Sequence, residues 1–225
     1  MEQAPSLQNP WVIMAHGFWD TGAVFGALAR DLRAAGFVPH HPTFRPRDGR
    51  LGLEDLAHKL SVEIEEHVPE GQKCALVGFS MGTLVSRFYL QRLGGLERVH
   101  TFFSIAGPHA GTRTAYLYPG QATREMRPDS TLLRDLNADI ERLVDLPVFS
   151  YWTPYDFMIF PPTSSLLPVG ENVRVDCWLH PLMVWNREVR AHIRNTLVGT
   201  CGGLGTAGPP PRSGSVFGKT DGLQE

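Results

Sequence analysis

The chain is poor in the features that mark several specialised protein classes. Three cysteines in 225 residues, Cys74, Cys177 and Cys201, are too few and too scattered for a disulfide framework or a zinc site. Cys74 and Cys177 lie in strand-like runs and read as small core residues. Neither sign of charge prevails: 21 basic against 23 acidic residues leave a formal net charge of -2, so electrostatics gives no reason to expect nucleic acid or an acidic membrane as partner. No apolar run approaches the roughly 18 residues of a transmembrane helix. The first ten residues, MEQAPSLQNP, have neither the basic nor the apolar region of a secretory signal. A cytoplasmic protein without an integral membrane segment is the expectation, with secretion open if a leader has been removed. No internal repeat is visible.

Apolar residues make up 42% of the chain, enough at this length for one α/β domain with a sizeable core. Trp11 to Ala15 is a short apolar run stopped by His16-Gly17 and reads as a strand. Asp20 or Thr21 can cap a helix with Val24, Phe25, Leu28 and Leu32 on one face. Phe37 to Pro42 is a weaker strand, and 43 to 53 is a loop rich in Arg, Pro and Gly. A helix follows with Leu53, Leu56, Leu60 and Ile64 in phase. Strands are expected at 75–78, 99–105, 147–152 and 172–178. Helices are expected after Met81, from an Asp129 or Ser130 cap through Leu132, Leu136, Ile140 and Leu143, and around Val189, Ile193 and Leu197. This alternation predicts a mainly parallel six-stranded sheet with helices on both faces. The domain is expected over 1–199, and 200–225 reads as a Gly/Pro-rich disordered tail.

The chemistry centres on Gly78-Phe79-Ser80-Met81-Gly82, a G-x-S-x-G pattern between a buried strand and a helix. There the serine sits in a strained turn, and the residues two before and two after it must lack side chains that would collide across it. A serine hydroxyl needs a base in reach and an acid behind that base. Asp156, after the fifth strand, and His180, after the sixth, fall in the order Ser, Asp, His. Asp145 precedes its strand, Asp129 and Asp139 read as a cap and a helix face, and Asp176 reads as lying inside a strand. His58, His67 and His192 fall on helices. The N–H groups of Phe18 and Met81 are the candidate oxyanion donors, since the segments carrying them end neighbouring strands.

These pieces resemble the α/β-hydrolase superfamily, and most of all its small bacterial lipases and esterases, the compact type related to Bacillus lipases. VIMAHGF, ALVGFSMGTLVSRFYL, FSIAGPHAGT, YDFMI and LHPLM carry the likeness, which spans residues 12 to 197. The resemblance implies Ser80 as nucleophile, Asp156 as acid and His180 as base, with no cofactor and no metal. Phe79 stands where lipases often have histidine, Thr83 where many have a third glycine, and Leu179 where a glycine usually precedes the catalytic histidine. In PHAGT, His109 reads as structural. Room between 113 and 128 suffices only for a short flap. Trp19, Phe157, Met158, Ile159, Leu182 and Met183, with Phe18 and Phe160, are the candidate acyl pocket or equally core. The expected substrate is a small-molecule or lipid ester, with transient contact to a lipid interface. Thioesterase, acyltransferase and amidase are rivals within the fold; a non-catalytic binding module is the rival outside it.

Overall fold

A computed structural model describes residues 9–201. Six strands form one sheet in the order β2-β1-β3-β4-β5-β6. They are β1 (Trp11–Ala15), β2 (Val38–His40), β3 (Cys74–Phe79), β4 (Val99–Ile105), β5 (Val148–Trp152) and β6 (Glu171–Arg174), and every adjacent pair is parallel. The helices are α1 (Gly26–Ala34), α2 (Leu53–His67), α3 (Met81–Arg92), α4 (Gly95–Arg98), α5 (Gln121–Glu125), α6 (Thr131–Ala138) and α7 (Arg187–Cys201). The expected parallel sheet with helices on both faces is what forms.

The continuous apolar strands are covered on both sides, as parallel sheets require. Because side chains alternate along a strand, Val12 and Met14 enter one core with Ala75 and Val77, under Leu28 and Leu32 of α1 and Val189, Ile193 and Leu197 of α7. Ile13 and Leu76 enter the other, under Leu56, Leu60 and Ile64 of α2 and Leu84 and Val85 of α3. Cys74 and Cys177 are buried free thiols, and burial pushes the Cys74 thiol up to about 12.

β2 and β3 flank β1 on opposite sides, so the chain reverses its direction across the sheet between β1 and β3. Crevices for ligands open beyond the carboxyl ends of the strands at such a switch point. Ala15 is registered against Gly78 and Phe79 against Ile105, so the loops after β1, β3 and β4 lie side by side.

Several boundaries differ from expectation. The helix read from Leu132 through Leu143 stops at Ala138, and Ile140–Leu143 is a separate 3-10 turn. Asp139 leaves the helical region with ψ at 37°, its carboxylate held by Arg92 at 2.6 Å and by the Gln91 side-chain amide at 2.9 Å. The cap is Ser130, whose hydroxyl accepts the Leu133 N–H, and not Asp129. β6 ends at Arg174, so Asp176 lies outside it, exposed and paired with Arg174 at 3.2 Å. α7 continues two residues past the expected domain end; the rest of the expected tail lies outside the described residues.

A guanidinium supports the elbow helix from below. Arg87 of α3 is fully buried and donates to Leu136 O at 2.7 Å, Asn137 Oδ1 at 2.9 Å and Gln91 Oε1 at 3.1 Å, satisfying groups at the end of α6. Burial without a directly paired carboxylate brings its pKa down to about 10.

Glycine positions separate two classes of consequence. A Cβ on Gly82 would lie 2.0 Å from the Ala15 carbonyl oxygen, whereas one on the exposed Gly26, at the start of α1 with helical φ and ψ, would meet nothing within 4 Å. Gly26→Ala is expected to raise the urea midpoint by the equivalent of about 0.5–1 kcal/mol. Gly82→Ala should lower it, because the clash is with backbone. Equal midpoints for the two variants would contradict this packing.

Candidate active site

Ser80 occupies the turn between β3 and α3 with φ 52° and ψ -121°, a conformation that costs a non-glycine residue roughly 1–3 kcal/mol. The turn closes through Ser80 N–H to Ile105 O at 2.9 Å and Thr83 N–H to Ser80 O at 3.0 Å, with Thr83 Oγ1 adding a bond to the same carbonyl at 2.7 Å. Both flanking glycines are sterically required. A Cβ on Gly78 would lie 2.6 Å from Thr83 Cα, and one on Gly82 would enter the end of β1. The serine side chain does not cap α3, which leaves its hydroxyl uncommitted to the helix.

Positive φ also occurs at Trp19 after β1 and at Ala106 after β4, so backbone strain gathers on three adjacent loops of one sheet edge. Strain of this kind clusters at functional sites.

Asp156 and His180 meet at that same edge. His180 Nδ1–H donates to Asp156 Oδ2 at 2.8 Å, with the two side chains 3% and 2% exposed. Asp156 Oδ1 accepts the N–H groups of Met158 at 2.9 Å and Ile159 at 2.8 Å, which fixes the carboxylate and aims its second oxygen at the imidazole. The two loops are tied by Val175 N–H to Trp152 O at 2.8 Å and Thr153 Oγ1–H to Cys177 O at 2.7 Å. With Nδ1 committed to the acid, Nε2 is the nitrogen left for a reacting hydroxyl. His180 has its hydrogen bond to Asp156 and none to Ser80 here.

The segments that carry Phe18 and Met81, the expected oxyanion donors, both lie beside Ser80. A Cβ on Gly17 would stand 3.2 Å from Ser80 Cβ, so the His16–Phe18 loop passes directly against the serine. Met81 opens α3, and the first N–H groups of a helix have no partner within it. His16 is buried, donates from Nδ1 to Gly17 O at 2.8 Å and accepts the Phe44 N–H on Nε2 at 2.9 Å. It thereby joins the loop after β1 to the segment after β2.

The expected acyl residues divide. Trp19, Phe157, Met158, Phe160 and Leu182 are exposed, whereas Ile159 and Met183 are buried, Met183 inside the core shared with α7. Phe18 stacks on Trp19 at 4.8 Å, and Tyr118 meets both edge-on. The expected flap is a 3-10 turn, Arg113–Leu117, followed by α5. It is stitched down through Ala122 N–H to Gly49 O at 3.1 Å and Leu53 N–H to Glu125 Oε2 at 2.6 Å.

Two neighbours of the site were not assigned from sequence. Phe79, inside the motif itself, packs its ring 5.1 Å from the His180 ring and backs the imidazole. Asp20 was read only as a helix cap, yet its Oδ2 lies 2.9 Å from where a Gly17 Cβ would stand. Burial raises its pKa, opposed by the fields of His16, His180 and Arg47. The signal was its place three residues past the oxyanion glycine. His109 is buried with Nε2 2.7 Å from Ser104 Oγ, while its buried Nδ1 has no hydrogen-bond partner. Among the described residues, His40, Glu63 and His67 offer atoms within 4.8 Å of one another that could hold a metal ion, at β2 and α2 and apart from Ser80, Asp156 and His180.

A family model described as palmitoyl protein thioesterase matches residues 52–165, half of the chain, including Ser80 and Asp156. The chain belongs to that family. Curated proteins return no match. Among solved structures, the mature form of a Bacillus licheniformis lipase superposes with a TM-score of 0.73 at 14% identity, covering 87% of this chain and 94% of the lipase. The Paleococcus ferrophilus monoacylglycerol lipase superposes at 0.66 and 18% identity, covering 86% and 96%. At such identities the likeness is one of fold, and the fold is that of the α/β-hydrolases. This member of the palmitoyl protein thioesterase family thus has the six-stranded form of a lipase-, esterase- and thioesterase-bearing architecture, and none of its described helices is long and apolar enough to cross a membrane.

His16 and His109 are held neutral by burial, below the ordinary imidazole value. The unfolded chain binds those protons where the folded chain does not. Their contribution to stability is therefore complete above about pH 6.5 and is lost as the pH falls towards their folded values, at up to about 1.4 kcal/mol per pH unit for each histidine. Urea midpoints are expected to drop between about pH 7 and pH 5, and His109→Gln to remove one histidine's share of the slope. An unchanged slope in that variant would assign the acid sensitivity elsewhere.

Proposed function

We propose that the chain is a serine hydrolase of carboxylic esters or thioesters, working through an acyl-enzyme on Ser80. The observation that carries the reading is the solvent-shielded His180–Asp156 hydrogen bond at 2.8 Å, on the same sheet edge as the strained Ser80. Ser80 Oγ attacks the acyl carbon while His180 Nε2 takes its proton. Asp156 holds the tautomer and stabilises the imidazolium, and the N–H groups of Phe18 and Met81 receive the oxyanion. His180 then returns the proton to the leaving oxygen or sulfur, and a water activated by the same nitrogen frees the acid.

The exposed Phe157, Met158 and Leu182 follow β5 and β6 beside the acid and base, and they supply an apolar rim for the acyl chain. With Trp178 and Leu179 also exposed, this edge offers an apolar surface suited to transient contact with a lipid interface. Thioester hydrolysis stands beside ester hydrolysis because the family model is that of a thioesterase.

A fluorophosphonate probe is expected to label Ser80, and Ser80→Ala to lose labelling and about 10³-fold or more of kcat on a p-nitrophenyl ester while keeping its thermal transition. Asp156→Asn should lose about 10³- to 10⁴-fold in kcat. Undiminished turnover in folded Ser80→Ala would end the proposal, and esters and thioesters of matched chain length would rank the two substrate classes.

A further inference from the structure

Next to the oxyanion loop lies an open cleft of ≈ 570 Å³ lined by Trp19, Arg45, Pro46, Arg47, Asp48 and Arg50. Three guanidiniums face one carboxylate there, in a chain whose formal net charge is -2. Asp48 is committed to Arg50, which reaches its oxygens from Nε at 3.1 Å and from Nη2 at 2.8 Å. Arg47 has only a 3.3 Å bond to the Trp19 carbonyl, and among the described residues neither it nor Arg45 has an ion-pair partner. The other charges near the cleft are Asp20, in the field of Arg47, and Lys59, which bonds the Arg45 carbonyl at 2.7 Å and is itself paired with Asp55.

The cleft is built into the active site's own framework. Trp19 N–H donates to Arg47 O at 3.0 Å, and Phe44 N–H donates to His16 Nε2 at 2.9 Å, so the arginine-bearing segment is fastened at two points to the loop that carries Phe18. Gly49 O is fastened in turn to α5. In the sheet the cleft follows β2 and β1, whereas the exposed apolar residues follow β5 and β6, with the Ser80 strand between them. A substrate whose acyl carbon sits at Ser80 can therefore extend an apolar chain to one side and a charged group to the other.

We infer that this cleft binds the phosphate of a phosphate-bearing head group, the part of the ester or thioester that leaves when Ser80 is acylated. The inference rests on the hydrolase reading above. Planar guanidinium forks match phosphate oxygens with two parallel hydrogen bonds, and two of the three here are uncommitted to a carboxylate. As the Ser80 Oγ–acyl bond forms, the carbon–oxygen or carbon–sulfur bond to the phosphate-bearing group breaks, and His180 passes the serine proton to that oxygen or sulfur. Water then cleaves the acyl-enzyme, giving the carboxylic acid and returning the proton to Ser80.

The test pairs each phosphate-bearing substrate with an uncharged counterpart that carries the same acyl chain. Lauroyl-CoA is compared with the lauroyl thioester of N-acetylcysteamine, and lauroyl lysophosphatidic acid with monolauroylglycerol. Arg45→Gln/Arg47→Gln is expected to lower kcat/KM about 10- to 100-fold for a phosphate-bearing member, chiefly through KM, and to change its neutral counterpart less than about twofold. The pair that responds identifies the source of the phosphate, a coenzyme thioester or a phospholipid. Equal losses on charged and neutral members, or no loss on either, would overturn the inference while leaving the hydrolase reading intact. Free coenzyme A and sn-glycerol 3-phosphate, titrated calorimetrically into Ser80→Ala, test the cleft without turnover: binding weakened by the double substitution supports it, and no heat from either ligand rejects it. Failure of the hydrolase reading would show separately, as absent fluorophosphonate labelling and absent turnover of the neutral esters.

Discussion

No atom larger than hydrogen fits between the start of α3 and the end of β1 at Gly82, where a Cβ would stand 2.0 Å from the Ala15 carbonyl oxygen. That close approach is the constraint on which the site depends. It lets α3 begin immediately after β3, forces Ser80 into its positive-φ turn, and brings the His16–Phe18 loop against the serine. The cost of the turn is carried by the fully buried β3 and by the hydrogen bonds that close the turn with Ile105 and Thr83. Strain persists where the surroundings over-determine it.

The rest of the edge is organised by hydrogen bonds between loops that are far apart in sequence. Asp156 spends one oxygen on two backbone N–H groups and the other on His180, so both carboxylate oxygens have partners although the side chain is buried. A buried charge is tolerable only when it is paired and bonded in this way. His16 does the analogous work on the opposite side, holding the segment after β2 to the loop after β1, and burial keeps it neutral, as accepting the Phe44 N–H requires. This edge of the sheet is thus held from its two ends, with Ser80 between them.

Local patterning reported the fold well because a doubly covered parallel sheet imposes strong periodicities. β1, β3 and β4 appear as short apolar runs, and α2 as a repeat of Leu53, Leu56, Leu60 and Ile64, all four of which are buried. Boundaries set by side-chain contacts were not legible in this way. Leu132, Leu136, Ile140 and Leu143 keep a helical period, yet the helix breaks at Asp139 because Arg92 and Gln91 of α3 hold that side chain outside it. At the sheet's edge β6 ends at Arg174, with one further bond from Val175 N–H to Trp152 O, and Asp176 turns to solvent.

By itself the sequence determined the alternation of strands and helices, the elbow at Ser80, and Asp156 and His180 as acid and base candidates past later strands. Each of these is a local property, a spacing or a motif within a few residues of its strand. Only the tertiary structure decided what those residues touch: the shielded contact between Asp156 and His180, Phe79 behind the imidazole, Asp20 beside Gly17, and Met183 in the core. It also decided that three arginines in a loop after β2 stand next to the oxyanion segment. Such contacts follow from strand order, and strand order depends on which apolar faces bury one another, a choice that no short stretch of chain contains.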